Sequence, residues 1–221
     1  MKKAHQISES IELGILLSLS GGFMDAYSYM ARGKVFANAQ TGNMLLLGIY
    51  LSQGQYMKSF YYFLPVFAFA LGIALTAIVR LRNKSQLHWR QISVFVEGII
   101  LLIVAFIPFE MNLLANSLTS FACGIQVQSF RKIHDTPLAT TMCIGNLRGG
   151  TENICYYFVK KEKHYLEKGL IYYGIILFFI FGAIIGNIFV YYLSQYAIMF
   201  CSILLMISFL IMFKDRENQK K

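Results

Sequence analysis

Four ionisable side chains lie inside long apolar stretches of this sequence, where a charge is costly. They are Asp25, Glu97, Arg148 and Glu152. A charged group at the centre of a bilayer costs at least about 2.5–3.5 kcal/mol on insertion scales, so it usually faces a cavity or a partner. Asp25 has two interpretations. It is either a proton or cation site, or a structural partner of Arg148 or of a half-helix N-terminus.

The other three charges have simpler interpretations. Arg148 and Glu152 are four residues apart, which places them on one face of a helix. We expect them to form an internal ion pair that permits burial. Glu97 lies near the start of its apolar segment, and we expect it to extend towards the membrane interface.

Two Gly-Asn pairs, Gly42-Asn43 and Gly145-Asn146, each follow a stretch of small polar residues. Glycine lets the chain bend or pack closely, and an asparagine amide both donates and accepts hydrogen bonds. Two half-helices that meet in mid-membrane would direct these groups at one point. The alternative is hydrogen bonding between helices, at about 0.6–2 kcal/mol each. The predicted solute-binding residues are Asp25, Gln40, Thr41, Asn43, Gln126, Gln128, Asn146, Arg148 and Glu152.

The composition excludes most soluble classes of protein. Of the 221 residues, 57% are hydrophobic and only 14% are charged, and the mean hydropathy is +0.54. Soluble domains carry about 25% charged residues. The net charge of +9 is better explained by membrane orientation than by nucleic-acid binding. No nucleotide-binding, hydrolase or metal-ligand motif is present, so we expect neither a cofactor nor an enzyme.

Eight apolar segments predict an all-α polytopic membrane protein, because their runs do not alternate as barrel strands do. Two of them, Val35–Leu51 and Leu138–Val159, are interrupted by polar residues and do not resemble lipid-facing spans. The segments are Ile11–Ala31, Val35–Leu51, Phe60–Val79, Ile92–Pro108, Met111–Phe130, Leu138–Val159, Gly169–Leu193 and Tyr196–Phe213.

The distribution of Lys and Arg decides how these segments cross, because cytoplasmic loops are enriched in these residues. If all eight cross, the 20 cations divide into 11 inside and 8 outside, with Arg148 in the membrane. If the two polar segments are re-entrant, 16 lie inside and only Arg32, Lys34 and Lys58 lie outside. The sequence therefore predicts six transmembrane helices, two short re-entrant half-helices and two cytoplasmic termini.

Three spans in each half make the halves inverted relative to each other. A shift of 103 residues places Gly21 on Gly124, Asp25 on Gln128 and Asn43 on Asn146. Inverted repeats with broken helices at the midplane are a recurrent design of transporters. We therefore expect one transmembrane domain over residues 1–221, with repeats at about 11–108 and 111–213.

Two signatures carry a family resemblance. The stretches Gly21–Tyr29 (GGFMDAYSY) and Val35–Asn43 (VFANAQTGN) resemble the hallmark of the YoaK-like family of bacterial inner-membrane proteins, a domain of unknown function. Gly124–Ser129 (GIQVQS) with Pro137–Thr141 (PLATT) resembles its second signature. Ile144 departs from the Thr expected before Gly-Asn. The resemblance implies a multi-pass protein of the bacterial plasma membrane and adds no ligand.

The predicted function is a channel or secondary transporter for a small solute or ion within the lipid bilayer. The alternatives are a membrane scaffold or accessory subunit, and an intramembrane enzyme that uses Asp25 or Glu152. The small-xxx-small spacing of Gly182 and Gly186 leaves a homo-oligomer open, although packing within the chain is the default.

Overall fold

The chain is a bundle of α-helices in a computed structural model that describes residues 10–82, 86–133 and 136–212. Two short 3₁₀ helices, Phe109–Met111 and Ser194–Ile198, and a two-residue antiparallel pair, β1 Lys132–Ile133 with β2 Thr136–Pro137, connect the helices. The helices are α1 Ile11–Ala31, α2 Gln40–Ser52, α3 Tyr56–Arg82, α4 Gln86–Ala105, α5 Asn112–Ser129, α6 Cys143–Lys160, α7 Lys163–Leu193 and α8 Met199–Met212.

Helix length separates spans from shorter elements. Among the described residues, two helical runs, Tyr56–Arg82 and Lys163–Met212, are long and apolar enough to cross a membrane. The second run reverses at Ser194, whose φ is 52°, so that α7 packs along α1 while α8 packs along α4. Helix α2 has 13 residues, about 20 Å at 1.5 Å per residue, which is shorter than the hydrocarbon core of about 30 Å.

Glycines bring α1 and α7 into backbone contact. A Cβ added to Gly22 would overlap the carbonyl oxygen of Phe179, and one added to Gly182 would overlap that of Leu19. Such small residues let two helices approach closely in an apolar environment. Each glycine therefore faces the residue three positions before the glycine of the other helix.

The same pattern joins α3 and α5. A Cβ on Gly72 would overlap the carbonyl oxygen of Phe121, and one on Gly124 would overlap that of Phe69. Here too each glycine faces the residue three positions before its counterpart. The two crossings, α1 with α7 and α3 with α5, thus use one arrangement of glycines twice.

Helix α4 packs between α5 and α8, and it buries Glu97 completely. The adjacent Gly98 brings α8 close, and Ser202 Oγ donates a 2.7 Å hydrogen bond to the Gly98 carbonyl. Neither carboxyl oxygen of Glu97 has a hydrogen-bond partner in the part of the chain that the structure describes. The expectation that Glu97 lies at the interface is therefore wrong, because this face of α4 is covered by α8.

Arg32, directly after α1, is fully buried and binds the end of α4. Its Nε donates to the hydroxyl of Tyr27 at 2.7 Å, and Nη1 donates to Asn112 Oδ1 at 3.1 Å. A cation is favourable at a helix C-terminus, where carbonyls lack partners. The guanidinium also donates to the carbonyl oxygens of Val104, Ile107 and Pro108 at 3.1, 2.8 and 3.3 Å.

Candidate solute-binding site

A cavity of about 740 Å³ lies where the starts of α2 and α6 meet against α1. Its volume falls in the range of small-molecule sites, roughly 300–1,000 Å³. The walls are mostly apolar and include Phe36, Val66, Phe69 and Phe179. Polar side chains are concentrated at the starts of α2 and α6, so the cavity has an apolar body with a polar end.

Asp25 is the acidic residue of this polar end. It is 8% exposed, and Oδ1 accepts a 2.7 Å hydrogen bond from the backbone N–H of Asn38. The amides of Ala37 and Ala39 also lie beside the carboxylate. Because Ala39 caps α2 without a side-chain hydrogen bond, Asp25 supplies the negative charge at that N-terminus. Of its two structural interpretations, the half-helix terminus fits, and Arg148 does not.

The side chains of Asn43 and Asn146 each form hydrogen bonds with the backbone of the segment that precedes their helix, α2 and α6 respectively. Asn43 bonds both the N–H and the carbonyl of Phe36, at 3.0 and 2.7 Å. Asn146 bonds the same two groups of Ala139, at 3.4 and 2.6 Å. Each clamp spans seven residues, and Phe36 and Ala139 are themselves 103 residues apart. The side-chain amides of Asn43 and Asn146 are therefore engaged in hydrogen bonds within the chain, although α2 and α6 both begin at the cavity.

The predicted glutamines and Thr41 divide between the cavity and the core. Gln40 and Thr41 line the cavity. Gln126 is buried and donates to the Leu17 carbonyl and to Thr140 Oγ1, both at 3.1 Å. Gln128 is half-buried on α5 and does not line the cavity.

Arg148 and Glu152 lie on the exposed face of α6, away from the cavity. Glu152 accepts a 2.8 Å hydrogen bond from the Tyr156 hydroxyl, one helical turn away. No ion pair joins Arg148 to Glu152 within the described ranges. The expected internal ion pair is wrong, because the buried face of α6 is occupied by Asn146 and Gly150 instead.

Two buried polar residues of the cavity are absent from the predicted set. Asn38 and Thr141 are 2% and 3% exposed, and both line the cavity. Asn38 Oδ1 and Thr141 Oγ1 have no hydrogen-bond partner in the described part of the chain. The 103-residue shift that relates Asn43 to Asn146 also relates Asn38 to Thr141. That signal was present in the sequence, but the prediction rested on the Gly-Asn pairs, which lie four and five positions further along.

Replacement of Asp25 by Asn should lower the free energy of unfolding by about 1–2 kcal/mol, because charge-assisted hydrogen bonds to the loop amides become neutral ones. Thermal melting of the purified protein in detergent measures the change. Gln128→Ala is the control, since Gln128 lies 103 residues after Asp25 in the sequence, is half-buried on α5 and does not line the cavity. An Asp25→Asn protein as stable as Gln128→Ala would contradict the anchoring role.

Comparisons with known proteins identify the chain. A family model described as "Protein of unknown function (DUF1275)" matches residues 13–211. The chain is 25% identical over 181 residues to the "UPF0700 transmembrane protein YoaK" of Bacillus subtilis (strain 168), which covers 77% of this chain and 79% of that protein. No solved structure gives a significant match. The chain therefore belongs to the DUF1275 family, and it is a helical membrane protein.

Proposed function

We propose that the chain is a channel or secondary transporter that moves a small solute through the cavity between α2 and α6. The observation that carries the proposal is the cavity itself, an open, mostly apolar pocket that joins two helix starts, a carboxylate and side chains with unpartnered polar atoms. Binding sites of transporters form where discontinuous helices meet near the midplane.

The proposed architecture has six spans, with α2 and α6 as re-entrant half-helices and with inverted repeats at about 11–108 and 111–213. Helix α1 would correspond to α5, and α3 to α7, so the crossing of α1 with α7 would correspond to that of α5 with α3. The two seven-residue asparagine clamps, 103 residues apart, support this correspondence. The glycine crossings support it at the level of which helices pair, since Gly22 and Gly182 are offset by one and seven residues from the positions that the shift assigns to Gly124 and Gly72.

The proposed location is the bacterial plasma membrane with both termini in the cytoplasm. The support is the count of 16 inside against 3 outside among the 20 Lys and Arg residues. Part of that count falls on residues 1–9, 83–85 and 213–221, which lie outside the described residues. Within the described part, Lys160 and Lys161 follow the end of α6 that is remote from the cavity.

A membrane scaffold or accessory subunit is the second candidate, and one observation favours it. The amides of Asn43, Asn146 and Gln126 are engaged in hydrogen bonds within the chain. Such amides hold helices together whether or not a solute passes. The two candidates differ in whether water and solute enter the cavity.

Cys143 lines the cavity and provides the test. Cys123 and Cys201 are buried, and Cys155 is exposed on α6. In a Cys155→Ser background, a water-soluble cationic methanethiosulfonate should modify Cys143. Metabolite profiles of cells that overproduce or lack the protein should differ, and the reagent should abolish that difference.

The matched control is the Cys143→Ser/Cys155→Ser double variant, whose metabolite difference should survive the reagent. If Cys143 reacts and no metabolite changes, the scaffold is the better explanation. If Cys143 reacts only with a lipid-soluble maleimide, the cavity is not hydrated and the transport proposal fails.

A further inference from the structure

Two buried polar atoms of side chains that line the cavity, 103 residues apart in the sequence, have no hydrogen-bond partner in the described part of the chain. They are Asn38 Oδ1, just before α2, and Thr141 Oγ1, just before α6. A buried polar atom without a partner costs about 1–3 kcal/mol. In a site that opens to a solute, that cost is removed when the solute supplies the missing hydrogen bond.

The two residues flank one point of α1. Asn38 Nδ2 donates a 3.0 Å hydrogen bond to the carbonyl of Gly21, and a Cβ on Gly21 would lie 2.7 Å from Thr141 Cγ2. Asp25 lies one helical turn after Gly21 on α1. Its carboxylate accepts a hydrogen bond from the backbone N–H of Asn38, which places Asp25 nearer to Asn38 in the site. One small molecule can therefore contact both ends of this polar group.

The two ends differ in charge. The carboxylate of Asp25 lies beside the start of α2, so the acidic group of the site is at this end, although the positive dipole end of that helix partly offsets its charge. The start of α6 has no acidic residue in its first turn, and its cap residue, Met142, makes no side-chain hydrogen bond. Asn146, in that first turn, is occupied with Ala139. The free N–H groups of α6 and the hydroxyl of Thr141 are donors that suit an anion.

On the basis of the proposed function, we infer that the solute is a small zwitterion with an apolar body, of the α-amino-acid type. Its ammonium group binds Asp25 and Asn38 Oδ1, and its carboxylate accepts from Thr141 Oγ1 and the first turn of α6. The apolar body packs against the walls of the cavity, which include Phe69 and Phe179.

Three probes of one shape test the two ends separately. L-leucine carries both charges, 3-methylbutylamine carries only the ammonium, and 4-methylpentanoate carries only the carboxylate. Isothermal titration calorimetry on the purified full-length protein should give leucine at least about tenfold higher affinity than either half-charged probe, because one charge-assisted hydrogen bond contributes about 1.5–3 kcal/mol.

Thr141→Val removes the hydroxyl and no hydrogen bond within the described protein, so the variant should fold. Its affinity for leucine and for 4-methylpentanoate should fall about tenfold, while that for the amine should stay unchanged. Asp25→Asn should show the reverse pattern. Thr140→Val is the matched control, because Thr140 bonds Gln126 and does not line the cavity. It should leave the order of the three affinities as in the unchanged protein.

The inference is overturned if leucine does not bind, if the amine binds as tightly as leucine, or if Thr141→Val weakens the binding of all three probes equally. Uptake of labelled leucine into proteoliposomes separates this result from the proposed function. Binding with the expected pattern but without uptake would overturn transport alone. Uptake of a solute that is indifferent to Thr141→Val would overturn the zwitterion site alone.

Discussion

Arg32→Met is expected to unfold much of the protein. The substitution removes the cation from a fully buried position and leaves Asn112 Oδ1 and the carbonyls at the end of α4 without donors. Each hydrogen bond from a charged donor contributes about 1.5–3 kcal/mol, so loss of this set is expected to cost about 3–5 kcal/mol, or on the order of 10 °C in Tm for a chain of this length. Thermal melting in detergent and the yield of monodisperse protein measure the effect.

Two variants control for charge and length. Lys58→Met removes an exposed cation that the same topology places on the same side, and it should stay within about 0.5 kcal/mol of the unchanged protein. Arg32→Lys keeps the charge but not the planar set of donors, and it should fall between the two. Equal melting temperatures for Arg32→Met and Lys58→Met would show that the buried network does not stabilise the fold.

The second large effect is expected at the glycine crossings. Gly22→Ala and Gly182→Ala each place a methyl group on a backbone carbonyl of the opposite helix, which cannot move as a side-chain end can. Overpacking of this kind costs typically about 1–3 kcal/mol. If the halves correspond as proposed, Gly72→Ala and Gly124→Ala should cost a similar amount. Melting curves of the four single variants measure this.

Gly174→Ala is the matched control, because Gly174 is on the same helix as Gly182 and a Cβ there meets nothing within 4 Å. Alanine favours a helix by up to about 1 kcal/mol over glycine, so this variant should be as stable as the unchanged protein or more so. Equal melting temperatures for Gly182→Ala and Gly174→Ala would show that α1 and α7 can move apart without a loss of stability.

Helical architecture could be predicted from the sequence because long apolar runs leave the backbone few alternatives. The start of α2 was also predictable to within a few residues, since the polar run from Asn38 to Asn43 interrupts an apolar segment. The periodicity of the sequence could not show which polar atoms lack a hydrogen-bond partner. Asn38 and Asn43 are both polar and five residues apart. The side chain of Asn43 is hydrogen-bonded to the backbone of Phe36, whereas Asn38 Oδ1 has no hydrogen-bond partner in the described part of the chain.

Charged residues show the same limit. The sequence marks Glu97, Arg148 and Glu152 as costly in an apolar segment, but it does not say which neighbour covers each face. Burial of Glu97 depends on Ser202 and Gly98 drawing α8 against α4, a contact over about a hundred residues. Exposure of Arg148 depends on which side of α6 packs on α7. Both follow from tertiary packing rather than from local pattern.

The pairing of α1 with α7 also sets the order of events during synthesis. Helix α1 ends at Ala31 and α7 begins at Lys163, so 131 residues lie between them. At about 5–20 residues per second, the ribosome takes roughly 7–26 seconds to supply this partner. During that interval the face of α1 that contains Gly22 lacks its native contact with α7. A nascent chain stalled before α7 should therefore be a substrate for membrane chaperones and proteases, whereas α3 and α5 can already pair.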